Sequence, residues 1–442
     1  MRSTIFRDTR AFYAIIFGQL VSTVGSGMTR FGLGIWVFSE TGDTSAYTTL
    51  LFFAVLPLGL GSLVAGPLVD RFSRKQVMLI ANTVASLSTL VVAVLFFANV
   101  LELWHLYVAL FINGVANAFI LPALDSSIAL MVPKDQLGRA SGLTQLVQAL
   151  EIVLAPAAAG FLVGMVGLGA IFIVDFVTFG ASILALALSA IPNPQRSEEG
   201  MNLWAEFAFG VRYIRERPAF LYLMGFVTLT MFLLPGIGYA LVTPLVLTFS
   251  TEQAAGLVVS GFGVGSFIGG IALTAWGGPQ RRMNGMLAAM GIAGFGTVLV
   301  GLRESELLMA FGFVIVGACF IFMVGLNRVI WQVKAAPDVL GRIFSLRVAL
   351  GVGAQSLGIL IAGPLAEYVF EPLMAQDGAL SGTIGMLVGV GDGRGMALMF
   401  VLLGLALAAA AVLSATSPSV RLLEDRVPDY VEPRQSPAVV SG

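Results

Sequence analysis

Asp135-Gln-Leu-Gly-Arg139 returns 203 residues later as Asp338-Val-Leu-Gly-Arg342. The same offset pairs Leu143 with Leu346, Ala159-Gly160 with Ala362-Gly363, and Leu162 with Leu365. A single shared pentapeptide could be coincidence, but coincidence does not hold register from position 135 to position 162. Each copy also follows the fourth long apolar stretch in a set of six. The chain therefore reads as two parallel copies of one unit. Parallel six-span repeats place a ligand site between the copies, near the bilayer midplane, and rock against each other around it.

The apolar stretches set the unit. Membrane spans need roughly 18 or more nearly uncharged residues. Six such stretches run over Ala11–Phe38, Thr48–Val69, Gln76–Val100, Leu106–Leu124, Ala140–Val166 and Leu168–Ile191. Six more run over Ala219–Ser250, Ala254–Trp276, Asn284–Leu302, Leu307–Gln332, Ile343–Tyr368 and Gly395–Ser417. Composition agrees: 57% of the 442 residues are hydrophobic and 11% charged, against roughly 25% charged in a soluble domain. The expected fold is all-α and integral to the membrane, with twelve transmembrane helices in two pseudo-symmetric six-helix bundles.

Lysine and arginine orient the spans. Arg30, Arg328 and Arg347 lie inside them. Of the other 21, alternation puts Arg303 and Arg394 on one side and the remaining 19 on the other. That bias predicts both termini in the cytoplasm of a multi-pass plasma-membrane protein, with no cleavable signal peptide. The expected organisation is a bundle over 1–191, a cytoplasmic linker over 192–218, a second bundle over 219–417 and a disordered tail over 418–442. In the linker, Leu203, Phe207, Val211 and Ile214 share one helix face, which predicts a helix lying on the leaflet. Leu380–Val390, in the long outer loop, is apolar but too short to span, and is expected at the outer interface.

Several functions are excluded. A net charge of -1 leaves no electrostatic footprint for nucleic acid. One cysteine, Cys319, and one histidine, His105, provide neither a disulfide nor a zinc or histidine-relay site. There is no Gly-x4-Gly-Lys-Ser/Thr phosphate loop and no hydrolase motif, so an enzyme is not expected. Neither cofactor nor metal is expected. The partners implied are a small-molecule substrate, protons and membrane lipids, with a monomer as the default.

The loop between spans 2 and 3 reads Gly66-Pro-Leu-Val-Asp70-Arg71-Phe-Ser-Arg74-Lys75. It resembles the major facilitator signature Gly-x-Leu-x-Asp-Arg-x-Gly-Arg-Lys, matching at Gly66, Leu68, Asp70, Arg71, Arg74 and Lys75, with Ser73 in place of the second glycine. Gly18-Gln-Leu-Val-Ser-Thr-Val-Gly25, Met28-Thr-Arg-Phe31 and Trp331-Gln332 are similar to the drug:proton antiporter-3 branch, which holds macrolide efflux pumps and enterobactin exporters. In that family Asp70 would face the start of span 11, where a helix N-terminus is partly positive. The resemblance also implies that spans 1, 4, 7 and 10 line the cavity. Ala155-Pro156-Ala-Ala-Ala159-Gly160 partly matches the family's antiporter motif Gly-Pro-x-x-Gly-Gly, and serves equally as small-residue packing of span 5 on span 8.

Transport against a gradient needs an ionisable group inside the membrane. Glu151 is the expected proton site, being close to mid-membrane in span 5. Asp175 reads as a structural polar contact in span 6. Arg30 either snorkels outward or lines the cavity. Cavity candidates are Arg30, Asn113, Asn117, Phe232, Tyr239 and Asn327, with Phe17, Gln19, Phe119, Phe320 and Met323. The 203-residue offset also aligns Asp125 with Arg328 near the cytoplasmic ends of spans 4 and 10, which predicts a gate pair across the mouth in the outward-open state. The expected function is proton-coupled efflux of amphipathic organic compounds such as drugs, siderophores or peptide-like metabolites. An uptake carrier, a lipid flippase-like protein and a non-transporting sensor are the alternatives.

Overall fold

The computed structural model describes residues 2–133, 136–189, 203–421, 423–426 and 429. At 2–11, 62–63, 66–67, 70–71, 129–130, 203–207, 337–338, 419, 421 and 425–426 it describes the backbone alone. All regular structure among these residues is helical. Eleven stretches are long and apolar enough to cross a membrane. The remaining expected span, the first, lies in α1, a 40-residue helix over Arg2–Thr41.

The N-terminal bundle continues with α2 (Thr44–Arg71), α3 (Arg74–Phe97), α4 (Leu103–Met131), α5 (Leu137–Val166) and α6 (Leu168–Leu188). A linker helix, α7 (Leu203–Arg215), follows. The seventh span is α8 (Pro218–Met231), a π-helical segment over Phe232–Gly238, and α9 (Tyr239–Leu247). Then come α10 (Glu252–Trp276), α11 (Arg282–Leu302), α12 (Glu306–Lys334) and α13 (Pro337–Leu365). A π turn over Ala366–Phe370 carries α13 into α14 (Glu371–Met374). After the one-turn α15 (Gly385–Val388), α16 (Arg394–Thr416) is the last span. The π segments sit at Pro235 and just after Pro364. Proline lacks an N–H and its ring crowds the carbonyl four residues back, and a widened turn relieves both.

Helix starts are written locally. Asp43 caps α2 by accepting from the Ala46 N–H, and Thr251 caps α10 by accepting from the Ala254 N–H. Within each bundle the helices pack by pairs, α1 on α5 and α6 and α2 on α4 in the first, α11 on α12 and α16 and α10 on α12 in the second. Two seams join the bundles: α2 on α13 and α5 on α10. A shift of six spans turns one seam into the other, as two parallel copies require. Small residues make each seam close. A Cβ on Gly363 of α13 would overlap Ser45 of α2, and one on Gly160 of α5 would overlap Glu252 of α10. Lipid tails are as apolar as the helices, so such seams depend on close backbone packing rather than on hydrophobic burial.

Two expectations change. The linker helix was expected on the leaflet, but Ile214 is 3% exposed, Tyr213 stacks on Phe220 of α8 at 5.9 Å, and Gly210 lies against Leu346 of α13. At Gly210, Val211 and Ile214 the helix packs on protein. The tail was expected to be disordered from Pro418. Instead α17 (Pro418–Arg421) and α18 (Leu423–Arg426) follow the last span, with Leu423 buried. The Glu424 carboxylate accepts the Met283 N–H at 2.9 Å, while Lys334 donates to the Glu424 carbonyl at 2.6 Å and pairs with Asp429 at 2.7 Å. These bonds tie the tail to α11 and α12. The linker's 192–202 and the tail's 430–442 lie outside the described residues.

Candidate functional site

Polar residues inside the first and fifth spans recur at helical spacing. In α1 they are Gln19, Thr23, Ser26 and Arg30; in α5 they are Thr144, Gln148 and Glu151. Steps of three and four residues keep each set on one face. Both faces line a cavity of about 320 Å³, together with Asn113 and Asn117 of α4 and Ala54 and Val55 of α2. A second cavity of about 180 Å³ lies beside it, lined by Gly27, Tyr47, Pro156 and Tyr239 among others. Arg30, Glu151, Ala54, Val55 and Ile152 belong to both.

Arg30 and Glu151 form an ion pair on this shared wall, the guanidinium Nη2 donating to Glu151 Oε1. Their side chains keep 32% and 21% exposure, so the pair faces cavity space rather than dry core. Glu151 stands at the middle of the 30-residue α5. Its partner is the arginine of the first span, and Arg30 lines the cavity rather than snorkelling. Asn117 donates to the side chain of Asn113 at 2.8 Å, leaving the amide pair on the cavity wall. Asp175, 1% exposed, accepts from Thr29 at 2.7 Å and Ser26 at 3.2 Å, which binds α6 to α1.

The larger cavity extends towards the face that carries the N-terminus, reaching Ile16 of α1, Leu124 of α4 and Thr144 of α5. Asp125 and Arg328 are both exposed, and among the described residues no ion pair joins them. Arg328 lies 5.9 Å from the centroid of the Phe344 ring. At the opposite face the bundles meet. There Glu367 accepts from the Ser45 N–H at 3.2 Å and the Ser45 hydroxyl at 2.7 Å, and Gly164 lies against Gln253. The bundles are thus bonded to each other at the face away from the N-terminus, and the larger cavity extends towards the other face.

Other expected site residues fall elsewhere. Asn327 is fully buried and donates to the Leu223 carbonyl at 3.3 Å, tying α12 to α8, so it does not line the cavity. Met323 is buried in the C-terminal core, Phe232 packs against that core, and Phe119 lies in a separate apolar groove with Ile80 and Phe111. In the loop signature, Arg74 is buried and donates to the Ser126 carbonyl at 2.6 Å. Lys75 donates to the Ala187 and Ser189 carbonyls at 2.7 and 2.8 Å, closing the end of α6. Both therefore brace the N-terminal bundle. Gly66, Asp70 and Arg71 are described by backbone alone, as the end of α2. Pro156 and Gly160 lie in the α5–α10 seam, where a Cβ on Gly256 would overlap the Pro156 carbonyl, while Ala155 packs on Gly27 of α1.

Thr23, Ser26, Thr144 and Gln148 were missed as lining residues. Their signal was the polar stripe itself, read along each apolar span at helical period. Tyr47 had no such signal, because the residues that follow it on its helix face, Leu51 and Ala54, are apolar.

Residues 15–362 match the family model described as Major Facilitator Superfamily. The chain is 26% identical over 370 residues to "Macrolide efflux protein A" of Streptococcus pyogenes, covering 81% of this chain and 90% of the relative. It is 24% identical over 368 residues to "Multidrug efflux pump Tap" of Mycobacterium tuberculosis (strain CDC 1551 / Oshkosh), covering 80% and 87%. Among solved structures, the nucleoside transporter NupG superposes with a TM-score of 0.66 at 14% identity, over 92% of this chain and 99% of that one. A bacterial homologue of the human lysosomal transporter Spinster, in an inward-facing and unoccupied conformation, also superposes with a TM-score of 0.66 at 14% identity, over 95% and 97%. At those identities the structures speak for the fold alone. The two-bundle architecture, the repeat and the family match agree: this chain belongs to the Major Facilitator Superfamily of membrane transporters.

Proposed function

We propose that the chain is a proton-coupled exporter of amphipathic organic compounds, working by alternating access as a monomer in the plasma membrane, with both termini cytoplasmic. The observation that carries this reading is the Arg30–Glu151 pair on the wall between the two cavities. While the pair is made, Glu151 holds no proton. A proton arriving at Glu151 breaks the pair and frees the Arg30 guanidinium. Substrate entering the larger cavity touches the same wall, so substrate and proton exclude each other there. That exclusion couples inward movement of one to outward movement of the other. Besides the Arg30–Glu151 pair, the polar lining of the cavity is a few amides and hydroxyls on an apolar wall, which suits molecules with a large apolar body. Export is favoured over uptake by the relatives, which are named for macrolide and multidrug efflux.

On this reading the open face is cytoplasmic. Closing it brings Asp125 to Arg328 and Asp70 to the start of α13. The test adds a panel of labelled compounds, macrolides included, to the outside of inverted membrane vesicles, with and without an imposed pH gradient. Accumulation that needs the gradient supports the reading. Accumulation indifferent to pH, or driven only in right-side-out vesicles, overturns it.

A further inference from the structure

The two seams between the bundles are related by the repeat, yet they are not held alike at the face opposite the termini. The 203-residue offset maps Gly160 of α5 onto Gly363 of α13, and Gly164 onto Glu367. Both glycines of the first pair sit against the first turn of the facing helix: Gly160 against Glu252 of α10, and Gly363 against Ser45 of α2. One turn further on, the symmetry breaks. Gly164 has no side chain, and Gln253 of α10 fills the space beside it. At the equivalent place Glu367 reaches across to α2 and takes both the N–H and the hydroxyl of Ser45.

The receiving end offers an acid two donors, against the opposing charge of the Asp43 carboxylate that also faces Glu367. Asp43 caps α2 and satisfies the Ala46 N–H, so Ser45 still presents a free first-turn N–H. Such donors lie at the positive end of the helix dipole, where a carboxylate is stabilised. Hydrogen bonds with a charged acceptor are roughly twice as strong as neutral ones. At this face the α13–α2 seam therefore carries a carboxylate bond between the bundles, whereas the bond of the α5–α10 seam, from the Ser260 hydroxyl to the Val153 carbonyl at 2.7 Å, lies deeper in the span. The π turn over Ala366–Phe370 is what brings it to bear, since Glu367 lies inside that turn and its backbone departs from the regular helix there.

We infer that Glu367 is the latch that holds the face opposite the termini closed, and that it acts from one seam only. Opening that face parts α13 from α2 at this end, which breaks both bonds to Ser45. The other contacts at this end of the seam include the close packing of Gly363 on Ser45 and Thr48. Glu367 therefore sets the balance between the two states of the transporter. The inference rests on the alternating-access reading above, but not on its proton site or its substrate.

The experiment measures conformation without substrate or gradient, so it succeeds or fails apart from the coupling mechanism. Spin labels are placed at Glu40→Cys on α1 and Asp377→Cys after α14, in a Cys319→Ser background. Distances between them are recorded in lipid nanodiscs. The unsubstituted latch should give one dominant short distance. Glu367→Ala should raise the ratio of long to short distances by about 10- to 100-fold, the range set by losing hydrogen bonds to a charged group. Glu367→Gln keeps an acceptor and should fall between. Glu371→Gln, whose carboxylate accepts from Met396 inside the C-terminal bundle, should leave the distribution unchanged. If Glu367→Ala does not fold, Ser45→Ala removes only the 2.7 Å hydroxyl bond and should still raise the ratio several-fold. An unchanged distribution in folded Glu367→Ala or Ser45→Ala, or an equal shift from Glu371→Gln, overturns the latch.

Discussion

Replacing Glu151 by glutamine removes the charge that pairs with Arg30 while keeping size and one acceptor oxygen. The ion pair is broken from one side only, and Arg30 stays in its cavity. Breaking a fully buried pair this way costs about 3–5 kcal/mol. Here both side chains face cavity space, with 32% and 21% exposure, so water screens what remains. A loss of about 1–2 kcal/mol is expected after that discount. The variant should therefore fold, insert and melt a few degrees lower. Its transport should change in kind rather than in degree. Glutamine takes no proton, so the wall can no longer alternate between proton and substrate. In proteoliposomes with an imposed pH step, Glu151→Gln should show no uphill accumulation, while exchange of labelled for unlabelled ligand at equal concentrations continues. Arg30→Gln combined with Glu151→Gln should recover most of the lost stability and none of the coupling. A coupling free energy of about 1–2 kcal/mol in that double-mutant cycle is expected. The reasoning is refuted if Glu151→Gln still concentrates ligand against a gradient, or if the cycle shows no interaction between the two sites.

Three further outcomes are expected. Asp125→Arg alone and Arg328→Asp alone should each impair transport, and the double exchange should restore much of it; a double variant as poor as the worse single would show that the two never meet. Asp175→Ala should cost about 1–3 kcal/mol of thermal stability, because Ser26 and Thr29 lose their buried acceptor. Transport per folded molecule should be unchanged, and loss of coupling at full stability would instead put Asp175 in the proton route. Removing residues 418–442 takes away the bonds of Glu424 to Met283 and Lys334. A drop in melting temperature with transport retained is the expected result, whereas unchanged melting would mean the tail adds nothing to the α11–α12 end.

The sequence by itself determined the architecture. Uninterrupted apolar stretches leave helices as the chain's way to satisfy its backbone in a bilayer. The 203-residue repeat then fixed two parallel bundles, and the spacing of Gln19, Thr23, Ser26 and Arg30 already placed a polar face on the first span. Glu151 was legible for the same reason, as a lone carboxylate deep in an apolar span. Its partner was not. Periodicity says which residues share a face of one helix, but not which face of another helix it meets. Only tertiary packing brought Arg30 of α1 to Glu151 of α5, turned Asn327 away from the cavity onto the Leu223 carbonyl, and folded the start of the tail against α11 and α12. The same holds for Glu367. In sequence it is one acid at the end of a span, and nothing local distinguishes it from Glu371. The difference lies in what stands opposite, the α2 N-terminus for one and the bundle's own Met396 N–H for the other. Such contacts join residues as much as 322 positions apart, and they exist because two bundles meet at one face and part at the other.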